Sequence, residues 1–196
     1  MKLLESKLFK IFVVIILVSF ITTTFISPKP IAPYTTYKCD VKNIRLSTDI
    51  IIRTEGERIG KVTGSIFRIV EEPLTYRDFH GNRIAYAGDD YHLIAQDSHV
   101  IISDGVVTAE MVGRFKLFGQ KYDIYNSAGE KIASVKFNWT DTSGEMYDTK
   151  GKLVADYKSF ILFNDFNLRI SEACPIDETT AIMIFCSYYS DQSYDG

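Results

Sequence analysis

The sequence predicts a mainly β protein, a curved or closed antiparallel sheet built from repeated hairpins, and three observations carry that prediction. A turn glycine returns at Gly56, Gly81, Gly105, Gly129 and Gly151, spaced 25, 24, 24 and 22 residues apart. Each is followed by the same phrase. Three residues on stands Ile59, Ile84, Thr108, Ile132 or Val154, and next comes a small residue, Gly60, Ala85, Ala109, Ala133 or Ala155. Two further on stands Val62, Ala87, Met111, Val135 or Tyr157, so Thr108 is the one lapse in the pattern. Finally, aromatic residues make up 13% of the chain and β-branched residues are plentiful, a composition suited to pleated, half-buried surfaces.

The chain has 196 residues, the size of one domain with an attachment. Hydrophobic residues at 46% and charged residues at 24% belong to a folded globular protein rather than a disordered one. Formal net charge is −3, and about −5 once residues 1–27, with Lys2, Lys7, Lys10 and Glu5, are set aside. So acidic a folded part argues against nucleic acid as a partner, which needs a basic footprint. It also weakens docking onto anionic lipid head groups.

The first element is an N-terminal transmembrane helix, residues 1–27. "MKLLESKLFK" carries three lysines, and the 17 residues "IFVVIILVSFITTTFIS" that follow have no charge. As a helix that run measures ~26 Å, at the short end of what crosses a bilayer core. A signal peptide has the same layout but ends in small residues at −3 and −1. A cut after Ser27 would put Phe25 at −3, and a cut after Ala32 would put Pro30 there with Pro33 following. An uncleaved single-pass anchor is therefore expected, with its lysine-bearing N-terminus cytoplasmic and the folded domain outside the cytoplasm. "SPKPIAPY" opens a proline-rich stalk over residues 28–40, stiff and extended, before a domain spanning 41–196.

In the hairpins, each glycine supplies the positive φ of a tight turn, and Asp104 before Gly105 strengthens its turn. Beyond the turn side chains alternate, so Ala133 and Val135 are expected on one face and Ile132 and Ser134 on the other. A small residue repeated at one level implies strands passing close to something bulky, which favours a closed sheet of ten or more strands. Closure also removes exposed edges. A period in the twenties is shared by solenoids, but the fixed leucines of leucine-rich repeats are missing.

The rhythm breaks at "DETTAIMIFCSYYSDQ", residues 177–192, where Ala181–Tyr189 is apolar except for Ser187. Two readings stand. A helix apolar all round must be buried, with Asp177 as N-cap and Glu178 facing the positive end of the macrodipole. Alternatively the β-branched Thr179, Thr180, Ile182 and Ile184 suit a core strand. Either way the segment needs enclosure, and a barrel around a central helix carrying Ile182, Met183, Ile184 and Phe185 meets both observations.

Repeated hairpins such as "KLFGQKYDIYNSAGEKIASVKF" and "EMYDTKGKLVADYKSF", followed by an apolar terminal helix, resemble the tubby C-terminal-like superfamily. They resemble in particular the LURP-one-related proteins of bacteria and plants, with phospholipid scramblases as cousins. The resemblance covers about residues 41–192. It implies a closed barrel of about twelve strands with the helix threaded through it, and affinity for phospholipids. The basic residues that bind phosphoinositides in tubby proteins have no matched positions in this sequence.

Catalytic signatures are missing: there is no GxSxG, HExxH, P-loop or dinucleotide fingerprint. His80, His92 and His99 lie close in sequence to several aspartates, the raw material of a metal site, but read as solvated loop residues. "GRFKLFGQK" sets Arg114, Lys116 and Lys121 around Phe115, Leu117 and Phe118. It is either a basic, apolar-tipped loop touching lipid or a strand with its charges outward. Asn138–Thr140 is a glycosylation sequon, meaningful in a eukaryotic secretory pathway, and Trp139 within it marks a contact surface or a barrel end. Cys39, Cys174 and Cys186 show no metal spacing; Cys39 with Cys174 would be the disulfide of an exported domain. The expected function is non-catalytic and needs no cofactor: a binding or scaffolding module at the membrane surface, with a phospholipid or a protein as partner. The alternatives are a scramblase-like lipid-handling protein and a metal-dependent enzyme using the histidines.

Overall fold

The computed structural model describes residues 29–44, 47–65, 74–89, 98–114, 120–138, 140, 142–160 and 163–192. The expected membrane helix, 1–27, lies outside them. Among the described residues no helix is long and apolar enough to cross a membrane.

Twelve strands follow one another: β1 (Tyr34–Ile44), β2 (Ser47–Thr54), β3 (Glu57–Ser65), β4 (Leu74–Asp78), β5 (Arg83–Asp89) and β6 (Ser98–Ser103). Then come β7 (Val106–Arg114), β8 (Gln120–Tyr125), β9 (Lys131–Phe137), β10 (Ser143–Asp148), β11 (Leu153–Phe160) and β12 (Phe163–Ser171). Each pairs antiparallel with its sequence neighbours, and β1 closes the barrel on β12 with Tyr37 opposite Leu168 and Cys39 opposite Phe166. A single helix, α1 (Glu178–Gln192), completes the described fold.

β1 corrects the expected stalk. Tyr34–Asp40, assigned to 28–40, is strand rather than linker. Tyr37, Cys39 and Val41 point into the core while Lys38 and Lys42 are exposed, a period of two that the neighbouring prolines obscure. Even the proline segment is tied down. Ile31 N–H donates to the Leu153 carbonyl at 3.1 Å, and Glu172 N–H to the Pro33 carbonyl at 3.1 Å.

The five turn glycines all have positive φ, from 76° to 91°. Three residues further, each hairpin carries a bulge residue at the same level. Ile52 opposes Gly60 but Arg53 opposes Arg58, so Ile59 is the extra residue. The register skips Ile84, Thr108, Ile132 and Val154 in the same way. The repeated apolar position is thus the bulge residue of every glycine hairpin. A bulge disturbs strict alternation, which corrects the expected facing of Ile132: it packs against the core beside Ala133. Ile59 and Ile84 do likewise, and Val154 is fully buried. Two consecutive side chains turned inward leave room for only one large one, so the second is small. At Gly60 the limit is severe, since a Cβ would lie 2.4 Å from the Tyr76 ring and 2.6 Å from the Arg77 carbonyl.

α1 is buried inside the barrel. Asp177 caps it, its Oδ1 accepting from Thr180 N–H at 2.9 Å. Ala181–Tyr188 are all buried, and the helix reading rather than the strand reading holds. Phe137 of β9 stacks on Tyr188 with ring centroids 3.3 Å apart, while Tyr157 and Phe137 meet Phe185 edge-on. Rings from β8, β9, β11 and β12 therefore surround one end of the helix.

An up-and-down barrel has two unlike rims. Here β2–β3, β4–β5, β6–β7, β8–β9 and β10–β11 turn on one rim, each through its glycine. The opposite ends of the strands form the other rim. Residues 29–33 and the start of α1 are on the glycine-turn rim. All three cysteines are free. Cys39 sits opposite Phe166 while Cys174 lies beyond the end of β12, several strand residues away, so the two do not meet.

Candidate functional site

Charges gather on the outer wall of β7, β8 and β9. Tyr122 and Ile124 point inward, so Lys121 and Asp123, which alternate with them, face outward. The register then lines up cations: Arg114 stands opposite Lys121, and Lys121 opposite Lys136. Three positive side chains thus share a row across adjacent strands, where like charges directly opposite are unfavourable. Below them Asp123 is fully covered on the outer face, paired with the Arg114 guanidinium and with Lys131 Nζ at 2.8 Å.

The electrostatics record the crowding. The Lys121 ammonium is pushed below its usual pKa, first by burial. Asp123 opposes that shift, while Lys131, Arg114 and Lys136 add to it. Arg114 is held higher by a hydrogen bond with Tyr125 and by Asp123. Lys136 lies over the Tyr147 ring, 4.6 Å from its centroid, and the Tyr147 hydroxyl donates to Glu145 at 2.5 Å. With Arg114 and Lys131 committed to Asp123, and Lys136 facing Glu145 of β10 on its other side, Lys121 is the member of the row flanked by cations on both neighbouring strands. N–H donors at cross-strand spacing suit the oxygens of a phosphate or carboxylate.

Of the residues expected to touch lipid, Arg114 and Lys121 are neighbours in this row. Lys116 with Phe115, Leu117 and Phe118 lies outside the described residues. Lys131, Lys136 and Asp123 were missed. Their signal was the outward alternation on both sides of Gly129, which becomes a cluster only when β7, β8 and β9 are set side by side.

His80 and His99 do not converge. His80 is exposed at the β4–β5 turn, its ring 3.7 Å from that of Phe79, whereas His99 belongs to β6 opposite Asp89. They stand at opposite ends of β5. His99 is buried, which corrects its expected place in a solvated loop: the β6 register turns it from water, with Tyr122 nearby. His92 lies outside the described residues, among which no group of three His, Cys, Asp or Glu side chains could hold a metal.

The sequon amide is engaged locally. Asn138 Nδ2 donates to Thr140 at 2.8 Å and to Thr142 at 3.0 Å, and its Oδ1 accepts from Ser143 N–H at 3.0 Å. Trp139 lies outside the described residues. Elsewhere, an open cleft of about 510 Å³ between β1 and the β2–β3 turn contains Lys38 and Arg53. Both contact Asp40, whose carboxyl is held below its ordinary pKa although burial opposes this. Its two cations share Asp40, and Glu55 also lines the cleft, so the β7–β9 wall is the more basic of the two.

No protein-family model matches the chain, and no curated protein sequence matches it.

Proposed function

We propose that this chain is a membrane-anchored, non-catalytic binding module built on a tubby-like barrel of the LURP-one-related type. It presents the β7–β9 wall to an anionic ligand, with the phosphate of a lipid head group as the first candidate. The observation that carries this reading is the row Arg114–Lys121–Lys136, three cations opposed across adjacent strands at a cost in stability. The interior supports a surface role: α1 fills the barrel, so ligand recognition falls to the outside. The scramblase reading draws no support from a barrel filled in this way.

The test is co-sedimentation of residues 29–196, which hold every described strand and the helix, with neutral and anionic liposomes at low and high salt. Binding to anionic vesicles only, weakened by salt and by Lys121→Gln with Lys136→Gln, is the expected result. The same Lys121→Gln change should raise stability by about 0.2–1 kcal/mol, because it relieves two unfavourable cross-strand neighbours. Absence of vesicle binding would redirect the search to an acidic protein partner. A lower melting temperature in Lys121→Gln would show that the row is not strained.

A further inference from the structure

The barrel topology and the position of the N-terminal apolar run together select the face that meets the bilayer. Ile31 is bonded to Leu153, the first residue of β11, and Pro33 to Glu172, just beyond β12. Both ties lie on the glycine-turn rim. The charge-free run ends at Ser27, four residues before Ile31. Even fully extended, that length of chain reaches no more than roughly 14 Å. Whatever holds residues 11–27 therefore holds this rim close to it.

The same rim carries the large hydrophobic side chains most exposed among the described residues. Phe79 is 64% exposed in the β4–β5 turn, and Val106 and Val107 are 61% and 38% exposed just after Gly105. These hairpins are adjacent, since β5 pairs with β6. Single exposed apolar residues need no explanation, but here all three stand on the rim that carries the tether, on the side of the barrel across from it. Exposed charges on the rim are of both signs, with Lys29, Arg83 and Lys150 alongside Glu55, Glu130 and Glu172. That mixture suits a zwitterionic head-group layer.

We infer that the glycine-turn rim is a bilayer-docking surface, with Phe79, Val106 and Val107 seated in the boundary between head groups and acyl chains. The inference rests on the proposal that residues 1–27 anchor the chain. It gives the molecule an orientation: Arg114 and Lys121, at the opposite end of β7 and β8, face away from the anchoring bilayer. The lipid phosphate proposed for the β7–β9 wall then belongs to a second, apposed bilayer reached across the aqueous side, and not to the anchoring one.

The full-length chain, with Trp139→Phe removing the native tryptophan, is reconstituted into phosphatidylcholine vesicles containing acyl-brominated lipid. Single tryptophans are introduced as Phe79→Trp, Val106→Trp and, towards the far rim, Lys42→Trp. The expected result is retention of the protein after an alkaline wash, with bromine-dependent loss of fluorescence at positions 79 and 106 but not at 42. Retention without loss at 79 and 106, or with equal loss at 42, overturns the docking surface while leaving the anchor intact. Release of the protein by the wash overturns the anchor, and the docking surface with it.

Discussion

Thr108 occupies the bulge position that is isoleucine or valine in the other four glycine hairpins, and its environment explains the exception. The Thr180 hydroxyl, buried in the first turn of α1, donates to Thr108 Oγ1 at 2.7 Å, and Thr108 passes its own proton to the Ile101 carbonyl at 3.3 Å. An aliphatic residue would restore the repeat but strand a buried hydroxyl. Thr108→Val should therefore cost about 1–3 kcal/mol in chemical denaturation, whereas Thr108→Val with Thr180→Val should recover most of the loss. Additive losses in the double variant would mean that the two hydroxyls act independently. The lapse was legible in the sequence, but its cause lay 72 residues away in a different element.

At the scale of elements, α1 shows how an ambiguous segment is decided. Its β-branched residues suit a strand, yet the sheet closes without it, since β1 and β12 pair with each other. With no free edge to join, the segment satisfies its backbone polar groups internally as a helix, and the barrel supplies the apolar surroundings. Ile182 is 1% exposed near the middle of that interior. Ile182→Asp places an unpaired charge there and should abolish cooperative melting, whereas Ile182→Val should melt normally with a loss of about 0.5–1.5 kcal/mol. A soluble, cooperatively melting Asp variant would contradict the central position of the helix. The hairpins show the opposite balance. Their glycine turns were legible because a positive φ is a local demand, while their bulges were hidden because a bulge exists only relative to a partner strand.

For the whole molecule, the interior is rich in tyrosine, and this gives the fold an alkaline limit. Tyr37 and Tyr76 are pushed above the ordinary phenol value by burial, with Glu178 adding to the shift in both. Tyr147 is pushed up to about 12, first by burial and then by Glu145. Above pH ~10 the unfolded chain releases these protons while the folded barrel keeps them. The folded state then binds more protons, so stability falls as pH rises from about 10 towards 12. Melting temperatures measured alongside tyrosinate absorbance should show both changes together; an unaltered melting temperature across that range would contradict the buried phenols. Charge is organised on the same large scale. The part beyond residue 27 carries about −5 overall, yet the β7–β9 wall is locally basic, so the total charge and this wall favour ligands of opposite sign.

Local chemistry alone determined the period of the glycine turns, the small residue after each bulge position and the apolar character of the last helix. Each is imposed by a backbone dihedral, a packing limit or the exclusion of water from a short run of chain. Tertiary structure decided the rest. It drew Tyr34–Asp40 into β1, turned His99 inward, parted Cys39 from Cys174 and brought Lys121 and Lys136 face to face. These outcomes depend on which residues oppose one another on neighbouring strands, a register that exists only once the strands are paired.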